Sequence, residues 1–417
     1  MHVVEKILAR AAGKTEVTTG EIVNCHVDLA GINDLYLQTL RSFAEMGGKK
    51  VHNPQQVVMF LDHFAPASTI NQADNQKQFR AFCREQGIDL VMDIDQGVCH
   101  QVLADKGLVR PGMLLVVTDS HTTTHGAFGA FGTGVGATDL AIILMTGQLW
   151  FRVPEVIRIR LEGTLGPGVY AKDIILKVIG TLGADYGVYR AVELAGPVLE
   201  GLGVSERMTL CNMTTEMGAK TAYIQPDAVT FEFLKSKAGL DSPVMTTDPG
   251  YRYAAEHTFT VSGLKPQVAA PHSVDNVSDI TQYVGRPIHQ AYLGTCTGGR
   301  VEDLAVAARI LKGRHVHPRT RFIVVPASKG VFLEAMARGY IQTLVEAGAT
   351  FVTPSCAACL GTHQGILTAG ETCITASSRN FPGRMGHAGA EIFVASPASV
   401  AAAALEGKIA DPRKYLA

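Results

Sequence analysis

The sequence predicts an α/β protein of three α/β/α units, each built on a mainly parallel sheet. Three observations predict it. Short β-branched runs alternate with helical patterns almost from end to end, the rhythm of helices covering both faces of parallel sheets. The chain is 47% hydrophobic and only 18% charged, which allows a large buried core and argues against disorder. Its 417 residues make about three domains of ordinary size, and 43 glycines suit many tight loops between short elements.

Taken in order, residues 1–8 start an amphipathic helix and lack the uninterrupted apolar core of a signal peptide. Strands are expected at 21–29, 57–61, 89–92 and 113–117, with helices at 35–46, 76–86 and 99–106 between them. Residues 141–150 are apolar but too few to cross a bilayer. A second unit is expected from Pro154, with a strand at 155–161 and helices at 171–181 and 205–219. Residues 266–287, with Pro271, Pro287 and several polar residues, read as a linker. The rhythm then resumes: an apolar run at 291–293, a helix at 302–311, and strands at 322–325, 350–353, 373–376 and 392–395. The expected units are therefore 1–153, 154–270 and 271–417. No short repeat or low-complexity tract interrupts them.

Charge excludes some functions. Basic and acidic residues nearly cancel, 37 against 38, so there is no electrostatic footprint for nucleic acid and no bias toward an anionic membrane. Eight cysteines in a chain this long are not a disulfide scaffold. The expectation is a soluble, cytoplasmic protein.

Three of those cysteines carry the chemistry. Cys356 and Cys359 lie in Pro-Ser-Cys-Ala-Ala-Cys-Leu-Gly-Thr-His, after one β-like run and before a glycine turn. Cys296 holds a matching place after 291–293. If those strands lie side by side, the three thiols meet at the carboxyl ends, where open α/β sheets bind ligands. A lone C-x-x-C is more often a redox pair or half of a zinc site. A structural zinc takes four closed ligands, however, and three thiolates on an iron–sulfur cluster leave one iron open.

Polar clusters stand at other strand and helix ends: Asp62-His63, Cys99-His100, Thr118-Asp119-Ser120-His121-Thr122, and Asn212 with Glu216 one turn on. A carboxylate beside an imidazole sets its tautomer and basicity for proton transfer, although such a pair also serves as a plain loop contact. Gly132–Ala137 fits G-x-G-x-x-A, but a loop carrying Asp119 to His125 separates it from its strand, so close backbone packing is the expected role. Arg379 and Arg384, in Arg-Asn-Phe-Pro-Gly-Arg, suit a di- or tricarboxylic acid through their planar forks.

Together these motifs resemble the aconitase superfamily, in its branch of 3-isopropylmalate dehydratase and homoaconitase large subunits. T-D-S-H-T at 118–122, L-C-N-M-x-x-E-M-G-A at 210–219, G-T-C-T-G-G-R at 294–300, C-A-A-C-L-G at 356–361 and R-N-F-P-G-R at 379–384 follow that family's order. The resemblance implies a [4Fe–4S] cluster on Cys296, Cys356 and Cys359, with one iron free of cysteine. It implies that His63, steadied by Asp62, protonates a leaving hydroxyl, and that His100 pairs with Asp119 and His121 with Glu216. Ser120, Arg379 and Arg384 are implied to hold substrate carboxylates, and Asn33 and Asn212 to line the site. It implies a hydro-lyase acting on a 2-hydroxy di- or tricarboxylic acid, 3-isopropylmalate first and homocitrate or a dimethylmalate or citramalate type second. Because the chain stops at Ala417, a separate small swivel-domain subunit is expected to complete the site and bring the carbon base. Thr295, Gly298, Ser378 and Ala357-Ala358 depart from the family's usual residues and put the exact substrate in doubt. A protein holding zinc or a disulfide, without catalysis, is the alternative from another class.

Overall fold

A computed structural model of the protein describes residues 1–238 and 244–416. Its first sheet is five-stranded and wholly parallel, in the order Val91–Met92, Val57–Phe60, Leu29–Asn33, Leu114–Val117, Phe131–Gly134. Val57–Phe60 and Leu114–Val117 are buried along their whole length, which is why they read as unbroken apolar runs rather than alternating ones. The second sheet is also parallel, in the order Thr221–Tyr223, Ala191–Ala195, Val156–Glu162, Ala255–Thr260. The third has seven strands: Val277–Asp279, Gln267–Ala269, Glu391–Ala395, Thr372–Thr375, Gln290–Gly294, Arg321–Val325 and Thr350–Phe351. Only the pairings of Gln267–Ala269 in it are antiparallel.

The elements differ from expectation where local signals were weak. The strand expected at 21–29 is two strands: Ile22–His26 pairs antiparallel with Gln148–Arg152, and Leu29–Asn33 enters the first sheet. The apolar run 141–150 is cut at Gly147, whose φ of 72° caps the helix Ala137–Thr146 before the strand begins. The helix expected at 76–86 spans Ile70–Gln86, started by a capping box between Thr69 and Gln72. The helix expected over 205–219 is Val204–Met213, followed by a 3-10 turn at Thr214–Met217 that ends on Gly218 at φ 84°. Residues 266–287 are not a linker: they contain two three-residue strands on the edge of the third sheet, too short to show a pattern beside their prolines.

Two features of topology position the site. Strand order reverses in the first sheet between Leu29–Asn33 and Leu114–Val117, and in the third between Gln290–Gly294 and Thr372–Thr375. Ligands of open α/β sheets bind at such reversals, outside the carboxyl ends of the strands. The polar loops and the cysteine loop at 294–300 leave the strands at these two places.

Candidate active site

At the first reversal Asn33 ends one strand, and its backbone N–H and side-chain Nδ2 donate to Thr118, at 3.0 Å to Oγ1 and 3.2 Å to the carbonyl O. The next strand over delivers Asp62 and His63. Asp62 Oδ1 lies 2.8 Å from His63 Nδ1, while its Oδ2 accepts the N–H of Cys99 at 2.8 Å, so this carboxylate fixes the imidazole from a tethered position. Asp119 is the hub. Its Oδ1 is 3.0 Å from His100 Nε2 and accepts the N–H of His121 at 2.8 Å, and its Oδ2 is 3.6 Å from His63 Nε2. Burial alone would raise the Asp119 carboxyl; the His100 charge and the hydrogen bonds from His100, His121 and His63 hold it well below the usual range. For His63 burial works downward, but negative charge at Cys356 and Asp62 lifts it well above the ordinary imidazole value.

The glycine run performs the packing expected of it. The segment Ser120–Phe128 winds as a 3-10 helix against Phe131–Gly134, where a Cβ on Gly132 would lie 2.3 Å from the Thr122 carbonyl. A Cβ on Gly126 would lie 2.2 Å from the Ala222 carbonyl, joining this segment to the second sheet. That contact faces the helix Val204–Met213, whose Asn212 donates to Thr124 Oγ1 at 2.8 Å and to Cys296 Sγ at 3.4 Å. One turn later Glu216 Oε1 meets His121 Nε2 at 2.7 Å and accepts from Arg379 Nε at 2.8 Å. Arg379 also reaches Ser120 Oγ at 2.9 Å.

Loops of the third sheet bring the cysteines to the same place. Cys356 N–H donates to the Asp62 carbonyl at 2.9 Å, and His363 Nε2 and Thr362 Oγ1 both bond the His63 carbonyl, so the C-x-x-C loop is docked on the His63 strand end. Arg384 lies 3.7 Å from Cys359 Sγ. All eight cysteines are free thiols, which removes the disulfide alternative. Among the described residues, two trios of His, Cys, Asp or Glu bring their ligand atoms within 4.8 Å of one another: Cys99, His100, Asp119 and Asp34, Asp62, His63. Cys296, Cys356 and Cys359 do not form such a trio, whereas a single tetrahedral zinc draws its sulfurs to about 3.8 Å apart. They are nonetheless close enough for Cys356 and Cys359 to act on Cys296, whose thiol burial and those neighbours push up to about 12. A metal at close range is what ionises such thiols. Around them the buried atoms Asn33 Oδ1, His100 Nδ1, Asn212 Oδ1, Thr295 Oγ1 and Arg384 Nε have no partner in the protein. An all-sulfur donor set ringed by unpartnered polar atoms fits a polynuclear centre with a polar ligand beside it.

The aconitase family (aconitate hydratase) matches this chain over residues 5–287 and 281–407. The 3-isopropylmalate dehydratase large subunit 1 of Methanopyrus kandleri is 49% identical over 413 residues, 99% of each chain. A probable methanogen homoaconitase large subunit of Methanothermobacter thermautotrophicus is 46% identical over 99% of this chain and 98% of its own. The 3-isopropylmalate dehydratase large subunit of Moorella thermoacetica is 44% identical over 100% and 99%. The chain belongs to the aconitase family. Its reaction class is that of a hydro-lyase.

Hydrogen bonds and close approaches link the candidate side chains of this aconitase-family chain to one another, from Asp62 and His63 through Asp119, His100, His121 and Glu216 to Ser120 and Arg379, with Asn212 reaching Cys296 and Arg384 reaching Cys359. Asp34 and His125, beside them, are not singled out by the sequence. Asp34, buried, accepts the N–H groups of His63 and Phe64 at 2.9 and 3.2 Å, so it shapes the turn carrying His63. Its place after Asn33 at a strand end was the available signal. His125, one turn beyond His121, is fully buried with neither ring nitrogen bonded, and burial with the nearby His100 charge holds it well below the imidazole range. Thr295 and Ala357 flank the cysteines with φ of 63° and 40°, a left-handed backbone that costs a non-glycine residue about 1–3 kcal/mol. Nothing in local sequence foretells that strain. Nothing in the structure explains Ser378.

Proposed function

We propose that this chain is the large subunit of a dehydratase that removes water from, and returns it to, a 2-hydroxy di- or tricarboxylic acid. The substrate is a branched malate of the 3-isopropylmalate class, and homocitrate is the second reading, because the full-length relatives are named as 3-isopropylmalate dehydratase and as homoaconitase large subunits. The observation that carries it is the docking of the C-x-x-C loop on the strand end of His63, which sets buried thiols against a histidine–carboxylate array. Cys296, Cys356 and Cys359 are assigned to a [4Fe–4S] cluster. Such a cluster, with one iron free of cysteine, supplies a Lewis acid for the hydroxyl that leaves.

The protein's own groups take the remaining roles. Asp62 occupies His63 Nδ1, so the proton available for transfer sits on Nε2, which faces the cleft toward Asp119. His100, through Asp119, and His121, through Glu216, keep fixed orientations on the other wall. Arg379 and Arg384 receive substrate carboxylates; Glu216 and Ser120 hold the Arg379 fork until one arrives. Arg379→Lys would keep the charge and lose the fork, raising KM more than it lowers kcat.

The base for the neighbouring carbon is assigned to a small subunit, in keeping with the "large subunit" in the relatives' names. The test is anaerobic reconstitution with iron and sulfide, with and without a small subunit, on a panel of 2-hydroxy diacids followed by the conjugated alkene product. Turnover requiring both subunits, together with loss of brown colour and of turnover in Cys359→Ser, is the expected result. A colourless reconstituted protein, or a brown and active Cys359→Ser, would refute the cluster assignment.

A further inference from the structure

Lys172 is a buried cation that the roles above leave unused. It stands in the first turn of the helix Ala171–Leu182 and is 1% exposed. Its Nζ donates to the carbonyl oxygens of Ala376, at 2.9 Å, and Ser377, at 3.0 Å, and lies 3.8 Å from Met213 Sδ. Among the described residues no carboxylate comes within ion-pairing distance of it. Taking an ammonium out of water without a counter-charge is unfavourable, so such a group persists where negative charge compensates it from nearby. The charges felt at Lys172 are, after burial itself, those of Cys296 and Asp303, opposed by Arg300 and followed by Cys359. Burial brings the ammonium down to about 8.

The two acceptors explain how it is held. Both belong to the turn after Thr372–Thr375 that runs through Ser378 to Arg379. The Ala376 carbonyl also accepts Thr297 Oγ1 at 2.9 Å, one residue beyond Cys296. One oxygen thus joins the lysine, the cysteine loop and the arginine turn. The loops are so close that a Cβ on Gly298 would lie 2.3 Å from Ala376 Cβ.

We propose that Lys172 is the fixed positive charge that compensates the ionised cysteine site from inside the protein, held on the Ala376 and Ser377 carbonyls. This rests on the assignment of Cys296, Cys356 and Cys359 as cluster ligands. An added electron on a centre near that charge is stabilised by it, so removing the charge makes reduction harder.

The test compares wild type, Lys172→Met and Lys172→Gln as reconstituted complexes with the small subunit. Iron and sulfide content is measured for each, and the cluster potential is read by electron paramagnetic resonance during titration with dithionite, one electron per cluster. Met keeps the length without charge or donors; Gln keeps a donor for the carbonyls without charge. Both variants are expected to move to more negative potential by at least tenfold in the reduction equilibrium, 59 mV for one electron. A wild-type potential in either variant would overturn the proposal. If Lys172→Met yields no folded protein, Lys172→Gln alone carries the same reading. A wild type that assembles no cluster sinks the cofactor assignment instead, a separable outcome.

Discussion

Glu216 shows how a single side chain carries both structure and reaction. Burial would raise its carboxyl, but the His121 hydrogen bond and the Arg379 charge keep it below its ordinary value of 4.5. A carboxylate lowered on folding stabilises the folded state above its unfolded pKa and loses that contribution as pH falls through the folded one. The thermal midpoint of the cluster-free chain should therefore drop on acidification below about 4.5, with Asp119 steepening the fall at lower pH. Glu216→Gln, followed by calorimetry from pH 7 to pH 3, should lose stability at neutral pH and show a shallower acid limb. An identical limb in the variant would contradict the ion-pair account. At this scale the sequence was readily legible: carboxylates beside histidines at strand ends are visible as dipeptides. Local sequence does not record the long-range partners: the His121–Glu216 pair, 95 positions apart, is legible only through the family resemblance, and the Glu216–Arg379 pair, 163 apart, is not legible at all.

Among elements, the decisive contacts are backbone approaches that only glycine permits. Gly298 stands where the family resemblance implied a side chain, and the 2.3 Å separation to Ala376 Cβ shows that this loop has no room for one. Gly298→Ala should cost about 1–3 kcal/mol through overpacking and reduce the iron incorporated on reconstitution. Gly201→Ala, at a position with open space and no positive φ, should leave the thermal midpoint within a degree or two of wild type. Equal losses in the two variants would show that general glycine replacement, rather than the Ala376 contact, is responsible. Strands of four or five buried residues announced themselves by β-branched runs. The edge strands at Gln267–Ala269 and Val277–Asp279 did not, since three residues offer too few positions for a pattern.

Across the whole molecule, Arg300 ties the three sheets' surroundings to one another. It is fully buried, donating Nε to Gln101 beside His100, and NH1 to Thr209 and to the Ser205 carbonyl on the helix that carries Asn212. It sits four residues after Cys296. Arg300→Met should lower stability by on the order of 3 kcal/mol, as loss of a buried polar network does, and should weaken cluster retention without changing which diacids are turned over. Denaturant unfolding and iron analysis would check it; unchanged unfolding would show that the three sheets hold their relative positions by other contacts. Among the described residues no helix is long and apolar enough to cross a membrane.

The amino-acid sequence alone determined the α/β class, most strands and helices, and the short motifs that carry thiols, imidazoles, carboxylates and guanidinium groups, because these are recorded within a few neighbouring positions. Tertiary structure decided which of those groups face one another, since strand order and its reversals are set by pairings tens to hundreds of residues apart. It also decided what no local pattern records: the burial of Lys172 on the Ala376 and Ser377 carbonyls, the left-handed backbone at Thr295, and a glycine pressed against Ala376. Those depend on how separate chain segments fill one shared volume.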